Sequence, residues 1–298
     1  MRDYQELFKA EFLSGVFRLV KSTWWKYVII YLIQAIASII AFIPLILSVF
    51  NFDSFKELIK DPEGYGELIR DNPELMFSFL GADGDFTGII VGGSIFFIIM
   101  LLVASWTTNV YFKLNQAVIV GGNAELGTVI GKGFDKKFGQ LIGLSLVLFV
   151  VYLLSIAISL GIGYFAHWSL GVLVFLVLLI FMLRFILAAP ALVHGEMSIS
   201  DSISFSMQKI DFGRSLKLAL AGILFVAALV IASLVISLLS FILLLIPILG
   251  FIIYYAIQMS FTGCANAFIF GAMSGLYYRY TENAHSEFDI SVHLTDQQ

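Results

Sequence analysis

Six apolar stretches, each long enough to cross a bilayer, constrain this chain more than any other feature. They run approximately over residues 25–50, 87–112, 139–164, 169–193, 216–243 and 250–278. A helix needs roughly 20 mostly apolar residues to traverse about 30 Å of hydrocarbon. Composition agrees: of 298 residues, 60% are hydrophobic and 13% charged, against about 25% charged in a soluble domain. A soluble fold of this length has no room to hide so much apolar surface. The expected solvent is therefore lipid, and the expected fold an all-α integral membrane protein with six transmembrane helices. The first long apolar run is too long for the core of a cleavable signal and reads as a retained span.

The six stretches are joined unevenly. A short turn around His167 links the third and fourth. An apolar connection near Pro247 and Gly250 links the fifth and sixth, and residues 216–278 also admit two spans plus a re-entrant or interfacial piece. Residues 1–282 are expected to form one membrane domain, with 51–86 as an extracytoplasmic insert and 283–298 as a tail without fixed structure.

Lysine and arginine placement sets the orientation, because cytoplasmic flanks carry the excess. Fourteen lie in the N-terminal segment, the second-to-third and fourth-to-fifth connections and the tail, and only Lys56, Lys60 and Arg70 lie on the other side. Both termini are thus expected in the cytoplasm. The outward loop 51–86 holds nine acidic residues. Asp53 to Leu58 and Gly66 to Arg70 are candidate short helices there, with Pro62 and Pro73 as breakers. Asp83-Gly84-Asp85 lacks the spaced ligands and the glutamate of a calcium loop, so no metal is expected.

An internal repeat adds independent information. Phe138-Gly139-Gln140 opens the third span and Phe212-Gly213-Arg214 the fifth; Val118 to Gly122 closes the second and Ala191 to Gly195 the fourth. Trp24-Trp25-Lys26 marks a weaker first copy. Each copy begins with an amphipathic stretch. In the first, Phe8, Phe12, Val16 and Leu19 oppose Glu11, Ser14, Arg18 and Lys21. In the second, Leu126, Val129, Ile130 and Phe134 oppose Thr128, Lys132 and Asp135; in the third, Ile199, Ile203, Met207 and Ile210 oppose Ser198, Ser202 and Lys209. Ser198 with Asp201 reads as a helix N-terminal cap. The expected architecture is therefore three pseudo-repeats, each an interfacial amphipathic helix followed by a helical hairpin.

The chemistry-bearing residues are few. Between their ends the six stretches contain no Asp and no Glu, which weighs against proton-coupled transport and acid–base catalysis. Arg184, before Pro190 near the cytoplasmic end of the fourth span, is a candidate lipid-phosphate or anion contact; the competing expectation is a side chain that snorkels or pairs with backbone carbonyls. Asn109, Gln116, Gln258 and Asn266, with Asn115, form the polar set available for helix–helix hydrogen bonds or a polar cavity. Cys264, the single cysteine, allows no intrachain disulfide and no thiolate zinc site and reads as a small buried hydrophobe. His194-Gly195-Glu196 has no cysteine pair after it and marks the exit of the fourth span. Trp24, Trp25, Trp168, Tyr277, Tyr278 and Tyr280 read as interfacial anchors. No catalytic residue, cofactor or nucleic-acid partner is expected.

The run Arg184 to Glu196, the serine-rich helix Ser200 to Ser206, the entry Phe212-Gly213-Arg214 and the closing segment Gly275 to Tyr280 resemble the membrane domain of glycerophosphoryl diester phosphodiesterases and the related YciC-like bacterial inner-membrane proteins. The resemblance covers residues 1–50 and 87–282. Two departures stand out: the acidic insert, and an end about 20 residues past the last span, which leaves no room for the soluble catalytic barrel. The resemblance implies a bacterial inner-membrane protein without phosphodiesterase activity. The expectation is a non-enzymatic module concerned with membrane lipids, the envelope or another membrane protein; the alternative is a small-solute transporter or channel subunit.

Overall fold

A computed structural model of the protein describes residues 10–49, 56, 59–61, 64, 67, 70, 87–121, 125–241 and 249–281. Six helical stretches are long and apolar enough to cross a bilayer: Phe12–Ile46, Ile90–Val120, Lys136–Phe165, Trp168–His194, Phe212–Leu238 and Ile252–Tyr280. The protein is all-α and multi-pass. Ile39, Ile40, Ile90, Leu160, Ile223 and Leu238 are each more than half exposed. In water each would forgo about 1.5–3 kcal/mol of burial; in lipid that loss does not arise.

The helices in chain order are α1 (Ala10–Val49), α2 (Thr87–Gly121), α3 (Leu126–Gly131), α4 (Lys136–Phe165), α5 (Trp168–Met182), α6 (Ala188–His194), α7 (Ile199–Lys209), α8 (Phe212–Phe241) and α9 (Leu249–Tyr280). Short 3-10 turns at Lys132–Phe134 and Leu183–Phe185 lead into α4 and α6. Most of the acidic insert, its Asp83-Gly84-Asp85 run, the 242–248 connection and the tail lie outside the described residues. The fifth and sixth expected spans are present as α8 and α9.

Two differences from the sequence expectation concern the helices themselves. The first entry helix is not a separate element: its amphipathic stretch runs without a break into the span, as the single helix α1. The fourth span, in turn, is not one helix. Pro190 has no N–H to offer the carbonyl four residues back, and its ring crowds that carbonyl. The chain answers with the 3-10 turn Leu183–Phe185 between α5 and α6.

The chain divides into two compact units, one within Met1–Leu32 and Ser105–Gln298, the other within Ile33–Ala104. In the smaller, Phe42 meets Phe96 edge to face with ring centroids 5.5 Å apart. In the larger, the core gathers where α1 begins and α9 ends, called here the terminal face. Arg279 lies 5.8 Å over the Phe12 ring and Arg214 5.2 Å over Tyr280, which ties the starts of α1 and α8 to the end of α9. Val16, Leu19, Val110, Leu114, Leu187 and Leu276 are buried there, beside a cluster of Phe112, Leu141, Leu144 and Leu192.

Glycines set two close helix approaches in this unit. A Cβ on Gly263 would sit 2.8 Å from Val28 Cα, so α9 touches the α1 backbone. A Cβ on Gly171 would sit 2.6 Å from the Ser159 carbonyl, which makes the α4–α5 hairpin tight. Small residues at such contacts are how helices gain packing in lipid.

Candidate functional site

The break in the fourth span frees backbone groups that must find partners away from water. Ser206 of α7 supplies them. Its hydroxyl donates to the Arg184 carbonyl at 2.5 Å and accepts from the Leu187 N–H at 3.0 Å. Arg184 returns the contact: Nη2 donates to the Met207 carbonyl at 2.8 Å and Nε to the Ile210 carbonyl at 2.9 Å. These are terminal carbonyls of α7, which a cation suits. The guanidinium thus caps the helix whose serine repairs the break.

α7 differs from its expected pattern in one respect. Ser198 caps its start, accepting from the Asp201 N–H at 3.2 Å, as the sequence predicts. Ser202, placed by spacing on the polar face, is instead fully buried with Ser206. Ser202 donates to the Ile199 carbonyl at 2.8 Å, so it satisfies itself within the helix and packs as a small side chain. In the second entry stretch Val129 is buried as expected, but Phe134 is 69% exposed. Phe134 closes the 3-10 turn Lys132–Phe134 and stacks over Trp106 with ring centroids 5.9 Å apart.

Asn109 is enclosed in the α2–α4 corner. Its amide donates to the Gly133 carbonyl and to Asp135 Oδ1, both at 3.0 Å. Lys113 pairs with Asp135 and donates to the Lys132 carbonyl at 2.7 Å. Asp135 also caps α4, accepting from the Lys137 N–H at 3.0 Å. Burial pushes the Asp135 carboxyl up, but hydrogen bonds from Lys113 and Asn109, the Lys113 charge and the Phe138 N–H outweigh it and hold the group below its ordinary value.

A third arrangement joins four helices. The Tyr27 hydroxyl donates to Asn115 Oδ1 at 2.6 Å, the Asn115 amide donates to Ser274 Oγ at 3.0 Å, and Ser274 Oγ lies 3.1 Å from His194 Nε2. Tyr27, Asn115 and Ser274 are fully buried. The Tyr27 ring stacks on Tyr111 at 4.6 Å. His194 is walled by Phe112 at 5.5 Å, Tyr277 at 5.5 Å and Tyr278 at 5.1 Å between centroids.

The five singled-out polar residues therefore do not converge. Arg184 holds α7 carbonyls, and Asn109 holds the α3–α4 corner. Gln258 donates to Ser237 Oγ at 3.2 Å, between α9 and α8. Asn266 is half-buried beside the Tyr111 hydroxyl, and Gln116 is half-buried on α2. Among the described residues no group of three or more His, Cys, Asp or Glu is placed to hold a metal ion. Cys264, expected to be buried, is only partly so and lines an open apolar groove with Ile236, Ile257 and Phe261.

Sequence reasoning named Asn115 but passed over Tyr27, Ser274 and His194 as a set. The signal was present: a tyrosine inside an apolar span must find a partner for its hydroxyl. Tyr277 and Tyr278 also depart from expectation. Read as interfacial anchors, they are 5% and 7% exposed and belong to the core, because the end of α9 packs on α1 and α6 instead of facing lipid. Trp24, Trp25 and Trp168 are exposed as anchors should be.

Around the terminal face, exposed cations alternate with exposed aromatics. Phe17 and Arg18, Lys21 and Trp24, and Lys132, Phe134 and Lys136 all reach the surface near helix ends. No family model, curated protein or solved structure matches the sequence.

Proposed function

We propose that the chain is a non-enzymatic protein of the bacterial inner membrane that binds anionic phospholipid on its terminal face, with both termini in the cytoplasm. One observation carries this: exposed Arg18, Lys21, Lys132 and Lys136 sit among exposed Phe17, Trp24, Trp25 and Phe134. Aromatic rings suit the headgroup level, and each cation near an anionic leaflet contributes about 1 kcal/mol. The fourteen-to-three bias in Lys and Arg supports the orientation. The three entry segments, at the start of α1, at α3 and at α7, support a threefold repeat of entry helix and hairpin. The separate partners of Arg184, Asn109 and Gln258 weigh against a solute path.

The test is retention of lipid by purified protein. After extraction, native mass spectrometry should find phosphatidylglycerol bound in preference to phosphatidylcholine, with no hydrolysis of phospholipid or glycerophosphodiester. Equal retention of the two lipids, or unaided turnover of either substrate, contradicts the proposal.

A further inference from the structure

The start of α1 presents two neighbouring stripes to the surface. Exposed Leu13, Phe17 and Trp24 follow one another at spacings of four and seven and make an apolar stripe. Exposed Arg18 and Lys21 make a basic one beside it. These two are like charges three residues apart, so they repel. Neither has an Asp or Glu three or four residues away to relieve it. Asp135 is engaged by Lys113, Asp201 by Ser198 and Asp211 by Arg214. The stripe pair therefore suits a partner that is itself apolar on one edge and acidic on the other.

The chain carries such a segment close by. After Arg279 it holds Glu282, Glu287, Asp289 and Asp296 and no Lys or Arg. From Glu287 to Leu294, polar residues alternate with Phe288, Ile290, Val292 and Leu294. An extended chain sends alternate side chains to opposite sides, which would give this sequence one apolar edge and one edge led by Glu287 and Asp289. The reach agrees. α9 ends at Tyr280, where the Thr281 N–H still bonds the Tyr277 carbonyl at 3.1 Å. Arg279 lies 5.8 Å over the ring of Phe12 on α1. Phe12 to Lys21 is about 14 Å along the helix, and Thr281 to Glu287 extends up to about 20 Å. A tether this short holds the segment at an effective concentration on the order of millimolar, so contacts too weak to hold a free peptide still populate a docked form.

We propose that residues 287–294 dock along the start of α1, with Glu287 and Asp289 against Arg18 and Lys21 and the apolar edge against Leu13 and Phe17, and so hold this part of the terminal face from anionic lipid. The competition with lipid rests on the lipid-binding reading above; the docking does not, so the two can fail separately. The experiment uses the full chain in neutral detergent, with a photoreactive benzophenone side chain in place of Phe288. Irradiation should give a product of monomer mass joined to the α1 stretch 13–24, located by peptide mass spectrometry. Glu287→Gln with Asp289→Asn should remove most of it. Exchanging the charges, Arg18→Glu and Lys21→Glu with Glu287→Lys and Asp289→Lys, should restore it. Phosphatidylglycerol, but not phosphatidylcholine, should displace the segment and reduce the product. In nanodiscs the Glu287→Gln, Asp289→Asn variant should bind phosphatidylglycerol about three- to tenfold more tightly than wild type. No product on α1, or a product indifferent to the charge variants, overturns the docking. Where phosphatidylglycerol is preferred, an unchanged affinity in the tail variant overturns the competition. Absent docking with that preference intact rejects this proposal alone. Docking as expected with equal retention of the two lipids rejects the lipid-binding reading alone.

Discussion

Ser206 and Arg184 complete one another: the serine hydroxyl donates to the arginine carbonyl at 2.5 Å, and the guanidinium donates to the Met207 carbonyl at 2.8 Å on the serine's own helix. The pair turns a proline-induced break into a junction between α6 and α7. A broken helix in a membrane is tolerated where other groups satisfy the freed backbone, and here both halves of the repair are visible.

Removing one half should expose the cost. Ser206→Ala leaves the Arg184 carbonyl and the Leu187 N–H without their partner. Each buried unpaired group costs about 1–3 kcal/mol. The thermal unfolding midpoint in detergent should fall clearly; an unchanged midpoint would mean the junction is satisfied some other way.

Arg184→Leu separates a structural arginine from a lipid-binding one. Its donors face carbonyls of α7, so the variant should be less stable but retain as much anionic lipid as wild type. A folded variant that has lost its lipid would return Arg184 to the binding surface.

Gly133 lies where no side chain fits. A Cβ there would overlap Trp106 and come 2.7 Å from Val110 Cγ2. Overpacking of this kind costs about 1–3 kcal/mol. Gly133→Ala should lower the unfolding midpoint and shift tryptophan fluorescence, whereas Gly139→Ala, with nothing within 4 Å of its added Cβ, should leave the fluorescence unchanged and hold or raise the midpoint, since Ala favours a helix over Gly.

Asp135 predicts a pH dependence of known sign. Its carboxyl is held below the ordinary value when folded. The stabilisation is therefore complete above the unfolded value of about 3.9 and disappears as pH falls through the lower folded value. Asp135→Asn keeps a capping side chain but removes the charge. The stability gap between wild type and this variant should be constant near neutral pH and close below about pH 4; a gap that persists in strong acid contradicts the assignment.

Spans were legible because membrane crossing depends on apolar length, which sequence displays directly. The Ser198 cap and the exposed Trp24 and Trp25 were legible for a similar reason: each depends on neighbours close in the chain. What escaped was partner choice across helices. Ser202 and Ser206 look polar by residue type, yet they are buried, and Ser206 is needed by a break in another span. Tyr277 and Tyr278 look like anchors, yet packing at the end of α9 covers them. Nothing in the sequence states that Tyr27 and Ser274 meet the same asparagine.

The most direct measurement of the account is anionic-lipid affinity after neutralising the terminal face. A variant carrying Arg18→Gln, Lys21→Gln, Lys132→Gln and Lys136→Gln removes four exposed cations, each contributing about 1 kcal/mol before screening. Titration with phosphatidylglycerol in nanodiscs should show binding weakened by at least about tenfold at physiological salt, with the fold intact by circular dichroism. Unchanged affinity in that folded variant would contradict the claim that this face binds the membrane's anionic lipid.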